Sequence, residues 1–125
     1  MKILCLCNHG NVRSACLARE IKDLNGACQP LNEQTFIDYI QNFAKYQSIA
    51  IGAHANSKET IKILCDWADK VVDLSDNIPT IQNFLVQLAG SKYERFDIGG
   101  DRWGNPFADE LRNICQQKIK EWGFK

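Results

Sequence analysis

Cys7-Asn8-His9-Gly10-Asn11-Val12-Arg13-Ser14 is the stretch whose reading decides the fold. Ahead of it stands Ile3-Leu4-Cys5-Leu6, an unbroken apolar run of the kind that forms a strand covered on both faces. Behind it, Ala15-Cys16-Leu17-Ala18-Arg19-Glu20-Ile21 has helical spacing. The octapeptide is therefore the turn from a first strand, residues 2–7, into a first helix over about residues 14–24. Backbone N–H groups at a helix N-terminus lack intrahelical partners, and with the helix dipole they form an anion site. A thiol placed there has its pKa lowered, and the thiolate is the nucleophilic form. Arg13 can hold two oxygens of a tetrahedral oxyanion with its planar fork. Gly10 lets the loop backbone curl towards the anion. Ser14 is expected both to cap the helix and to point its hydroxyl at the sulfur. One turn thus supplies a nucleophile, Cys7, and an oxyanion cradle of Asn8, His9, Gly10, Asn11, Val12, Arg13 and Ser14.

Outward from this turn, strands and helices alternate. Leu17, Ala18, Ile21 and Leu24 form the inner stripe of the first helix, and Asn25-Gly26 stop it. After a loop containing Pro30, Asn32 opens a predicted second helix with Phe36, Ile40 and Phe43 on one face. Residues 47–52 form the second strand. Asn56 and Glu59 have capping-box spacing ahead of a helix carrying Ile61, Leu64 and Ala68. Residues 70–74 are the third strand, and Ile81, Phe84, Leu85 and Leu88 mark a helix that Gly90 ends. Tyr93 to Ile98 is a fourth strand, followed by the loop Gly99-Gly100-Asp101-Arg102-Trp103-Gly104. Asn105-Pro106 predicts the start of a last helix with Asn as N-cap, continued by Phe107, Leu111, Ile114, Ile119 and Trp122. Such alternation implies βαβ units, a parallel sheet and right-handed crossovers. Ligands bind such sheets beyond the carboxyl ends of the strands. Three loops should meet there: Cys7–Ser14, Gly52–Asn56 and Gly99–Gly104.

With 125 residues, the chain suits one domain, 1–125, around one core. A formal net charge of +0 leaves no global field to attract nucleic acid or an anionic membrane. No segment is long and apolar enough to span a bilayer, and the six cysteines read as reduced thiols of a cytoplasmic protein. Cys5, Cys16, Cys65 and Cys115 read as small buried hydrophobes. Cys5-x-Cys7-x-His9 lacks the spacing of a zinc knuckle, so no metal is expected there.

Cys-x5-Arg-Ser at the end of a first strand resembles the phosphate-binding loop of the low-molecular-weight protein tyrosine phosphatases, which the thioredoxin-coupled arsenate reductases share. The resemblance implies a three-layer α/β fold of the phosphotyrosine-phosphatase-I type, with a four-stranded parallel sheet flanked by helices. It implies hydrolysis of a phosphate monoester, conceivably protein phosphotyrosine, through a cysteinyl-phosphate, without a cofactor or metal. The expected partners are a phosphorylated protein or small molecule, and inorganic phosphate or sulfate in the loop. The family's general acid is an aspartate in a late loop, in an Asp-Pro-aromatic context. Asp101-Arg102-Trp103 occupies that place, so Asp101 joins Cys7 and Arg13 as the catalytic set, with Asp97 as the alternative acid. His54 and Trp103 are candidates for the substrate pocket; Trp103 and Phe107 either wall that pocket or pack the last helix.

The chain departs from the family at three places. Gly10 stands where the family has Asn, with Asn11 one place later; Val12 stands where a second Cys is common; Arg102 follows the acid instead of Pro. These put phosphotyrosine preference in question more than phosphoryl chemistry. An arsenate reductase needs a cysteine after the third strand, and Leu74-Ser75-Asp76 offers none, leaving Cys28 or Cys65 to serve. A non-catalytic anion-binding or phosphocarrier module would not call for Arg13 and a late acid.

Overall fold

In strand β1 (Lys2–Cys7), every residue after Lys2 is buried. Its alternate side chains enter two separate apolar layers. Ile3, Cys5 and Cys7 join one, and Leu4 and Leu6 join the other. A strand buried on both faces reads as a continuous apolar run, which is why residues 3–7 show no alternation. The computed structural model describes residues 1–24, 46–76, 78–99 and 102–123. The expected second helix from Asn32, the stop at Asn25-Gly26, Cys28, Gly100 and Asp101 lie outside the described residues.

Four parallel strands, β1, β2 (Gln47–Gly52), β3 (Lys70–Asp73) and β4 (Tyr93–Arg95), lie in the order β2-β1-β3-β4. Helices α1 (Arg13–Asp23) and α4 (Asp109–Glu121) cover one face. There Cys16, Leu17, Ile21, Leu111, Cys115 and Ile119 pack on Ile3, Cys5 and Val72. Helices α2 (Lys58–Trp67) and α3 (Pro79–Ala89) cover the other, where Ile61, Cys65 and Leu85 pack on Leu4, Leu6 and Val71. The buried Glu20 of α1 accepts hydrogen bonds from Arg112 Nε and Gln116 Nε2 of α4, both at 3.1 Å. That clamp sets the packing of the two helices. Among the described residues no helix is long and apolar enough to cross a membrane.

Several element ends differ from their sequence expectations. Ser57, not Asn56, caps α2, accepting the Thr60 N–H at 3.2 Å. Asn56 instead donates from Nδ2 to the carbonyl of Gly52, closing the loop ahead of it. The Asn105 side chain accepts the Phe107 N–H in a local turn, and α4 begins only at Asp109. Phe107 therefore precedes the helix and is exposed, lying 4.2 Å beneath the Arg19 guanidinium. β4 ends at Arg95, so residues 96–99 are irregular. In each case a short polar side chain or a local turn outcompeted the spacing pattern.

Candidate active site

Cys7 is the last residue of β1 and is level with Gly52 at the end of β2. The chain then turns through Asn8–Val12 and enters α1 at Arg13. The turn is closed by an interlock of backbones. Ala53 N–H donates to Cys7 O (2.8 Å) and His54 N–H to Asn8 O (3.0 Å). Gly10 has φ +80°, and a Cβ there would lie 2.5 Å from Gly52 N. A Cβ on Gly52 would lie 2.5 Å from the backbone carbon of His9. Two facing glycines let the loops after β1 and β2 touch.

The Cys7 thiol is buried against this turn. Ser14 Oγ lies 3.1 Å from Sγ, and the Gly10 N–H donates to Sγ at 3.1 Å. Burial alone would push the thiol's pKa up. Hydrogen bonds from the Ser14 hydroxyl and from the N–H groups of Ser14, Gly10 and Val12 outweigh it, and hold the pKa below that of an ordinary thiol. Ser14 does not cap α1. Val12 is the N-cap residue, without a side-chain cap bond, and the Ser14 hydroxyl is turned to the sulfur instead. Cys5, two residues earlier on the same strand face, has its pKa raised by burial and by the neighbouring Cys7, as befits a core thiol.

Arg13 is 1 % exposed. Its NH1 donates to Asp76 Oδ1 (3.0 Å) and to the carbonyl of Gly99 (3.1 Å). Its Nε is buried with no partner among the described residues, an N–H that fits an oxyanion ligand. Asp76 went unrecognised in the sequence. It sits just beyond β3, and its carboxylate also accepts from Asn8 Nδ2 at 2.8 Å, while its own N–H donates to Asn8 Oδ1 at 2.8 Å. The side chain of Asn8 is thus committed to Asp76, and its main chain to the loop. The signal for Asp76 was its place at the carboxyl end of a central parallel strand, where ligand loops gather.

The remaining predicted residues fall as follows. His9 and His54 are exposed, with ring centroids 6.0 Å apart. Asn11 is exposed and Val12 buried. Trp103 packs against the α1–α4 side of the core, with Arg102 4.4 Å over its ring. Asp97 accepts the Gly99 N–H (3.1 Å) and lies 3.8 Å from Arg95, so its carboxylate serves the local turn. Of the three expected loops, Cys7–Ser14 and Gly52–Asn56 meet directly, and the third reaches them through Gly99. Cys65 lies in α2, in the apolar layer on the other side of the sheet from Cys7, out of reach for a thiol relay.

No protein-family model and no curated protein matches the chain. Among solved structures, the chain is similar to the YwlE arginine phosphatase, in a variant whose active-site residue is a phosphorylated serine in place of cysteine. The sequences are 13 % identical, and the match covers 98 % of this chain and 96 % of that chain with a TM-score of 0.56. The chain therefore has the fold of the low-molecular-weight protein tyrosine phosphatases, a four-stranded parallel sheet between helices.

Proposed function

We propose that the protein is a cysteine-dependent phosphatase acting on a phosphate monoester. The observation that carries this reading is the Cys7 sulfur held by the Ser14 hydroxyl and the Gly10 N–H, in a turn that also holds the buried Arg13 with its unpartnered Nε. The fold shared with a phosphatase supports it. In the proposed reaction the Cys7 thiolate attacks phosphorus in line. The S–P bond forms as the ester P–O bond breaks, and the leaving oxygen takes a proton from Asp101. Loop N–H groups and Arg13 hold the equatorial oxygens. Water then attacks phosphorus and gives its proton to Asp101; the S–P bond breaks, releasing phosphate and restoring the thiolate. Gly99, two residues before Asp101, already touches Arg13, and Asp97 is committed to its own turn. Both observations favour Asp101 as the acid. A reducing compartment such as the cytoplasm would keep Cys7 in its reactive form.

The test is turnover of aryl phosphates, alkyl phosphates and phosphoarginine by the purified protein without added metal, and by three variants. Cys7→Ser should abolish hydrolysis while leaving the fold and phosphate binding in place. Asp101→Asn should lower phenyl phosphate turnover by about 10²–10⁴-fold and nitrophenyl phosphate turnover far less, because nitrophenolate leaves without help. Asp97→Asn should do neither. Full activity in Cys7→Ser would sink the covalent mechanism, and a leaving-group dependence confined to Asp97→Asn would move the acid to that residue.

A further inference from the structure

Resting on the phosphatase reading, we propose that His9 and His54 form a rim that selects phosphate esters carrying a second anionic group beside the scissile phosphate. Three observations carry it. First, the backbone interlock brings the two residues that carry these imidazoles together. His9 lies between Asn8, whose carbonyl takes the His54 N–H, and Gly10, which is nested against Gly52. Their rings stand 6.0 Å apart at 44°, both exposed. Second, neither ring makes a hydrogen bond or ion pair with a described residue. Third, the site is short of positive charge for its task. Arg13 is neutralised by Asp76, which leaves the Cys7 thiolate uncompensated against an incoming dianion. Among the described residues, Lys58 and Glu59 stand nearby in the chain at the start of α2. In the late loop, Arg102 pairs with Glu110, and Asp97 with Arg95.

An imidazole carries a ring N–H that can donate a hydrogen bond to an anion. Two such donors 6.0 Å apart can share one anionic group lying against both. The chemistry that fits is a carboxylate or a second phosphate a few bonds from the scissile group, carried by a small phosphate ester or by an acidic residue flanking a phosphorylated side chain.

The experiment compares kcat/KM for phenyl phosphate and for its carboxyphenyl analogues. A second arm compares phosphotyrosine peptides flanked by glutamate with peptides flanked by lysine. The carboxylated ester should be preferred by about two- to tenfold, the range of a net hydrogen bond, chiefly through a lower KM. His9→Gln and His54→Gln should each reduce this preference and the double variant should remove it, whereas Lys92→Gln, a lost cation at the far edge of the sheet, should not. Preference in the small esters alone, or in the peptides as well, tells the two sources apart. Equal kcat/KM for plain and carboxylated esters, or a preference that survives the double variant, overturns the rim. Absence of turnover of every ester would instead overturn the phosphatase reading beneath it.

Discussion

The sulfur of Cys7 is buried, yet its anion is favoured, because hydrogen bonds aimed at it outweigh the cost of burial. The Ser14 hydroxyl is the foremost of these donors. Ser14→Ala removes a hydrogen bond that only the thiolate fully uses, so the folded-state pKa should move up. A hydrogen bond to a charged group is worth about 1.5–3 kcal/mol, so its loss is large enough to read. The rate of Cys7 alkylation by iodoacetamide, followed by mass spectrometry across pH, reads this directly. Its midpoint should lie below that of an ordinary thiol in the wild type and shift towards alkaline pH in Ser14→Ala. An unmoved midpoint would show that the loop N–H groups alone hold the anion. Asp76 works at the same scale, linking Asn8 and Arg13 so that the cradle and its cation are fixed to the end of β3.

Elements meet where their ends are small enough. The β1–α1 turn and the β2–α2 loop touch at Gly10 and Gly52, where a Cβ on Gly10 would fall 2.5 Å from Gly52 N and one on Gly52 2.5 Å from the backbone carbon of His9. Backbone cannot rotate away as a side chain can, so Gly52→Ala must separate the loops. The expected cost is that of overpacking, about 1–3 kcal/mol, read as a lowered denaturation midpoint with an unchanged m-value. The same displacement should weaken phosphate binding, because the N–H of Gly10 bonds the sulfur. Stability equal to wild type would mean that the interlock is looser than its geometry indicates. In the layer that holds Cys7, α1 is tied to α4 by Glu20, so the helix whose first turn bonds the sulfur is also held towards its far end.

Across the whole molecule, Arg13 joins the Cys7–Ser14 loop to the segments after β3 and β4, so an oxyanion bound in that loop would link the ends of four elements. Binding there should stabilise the folded state as a unit. Phosphate, sulfate or vanadate at a hundred times its dissociation constant should add about 2.7 kcal/mol, seen as a rise in melting temperature that follows ligand concentration. Arg13→Ala should remove most of that rise, measured against the variant's own unliganded baseline. A wild-type melting temperature that ignores millimolar oxyanion would argue against the cradle.

The strands, most of the described helices and the turn that carries Cys7, Arg13 and Ser14 were legible in the sequence, because apolar spacing and a Cys-x5-Arg-Ser turn are local properties. β1 and α1 follow from residues 3–7 and from Leu17, Ala18 and Ile21, and the end of each lies within a residue or two of its expected place. Helix ends were less legible, because competing polar side chains decide them. Ser57 displaced Asn56 as the cap, and Asn105 closed a turn rather than a helix. Chain folding alone decided what faces the sulfur and the arginine. Asp76 lies 63 residues from Arg13 and 68 from Asn8, and no spacing rule spans such a separation. The strand order β2-β1-β3-β4 sets the loops after β1 and β3 side by side. The order is a property of the sheet, so the partners it creates became visible only in three dimensions.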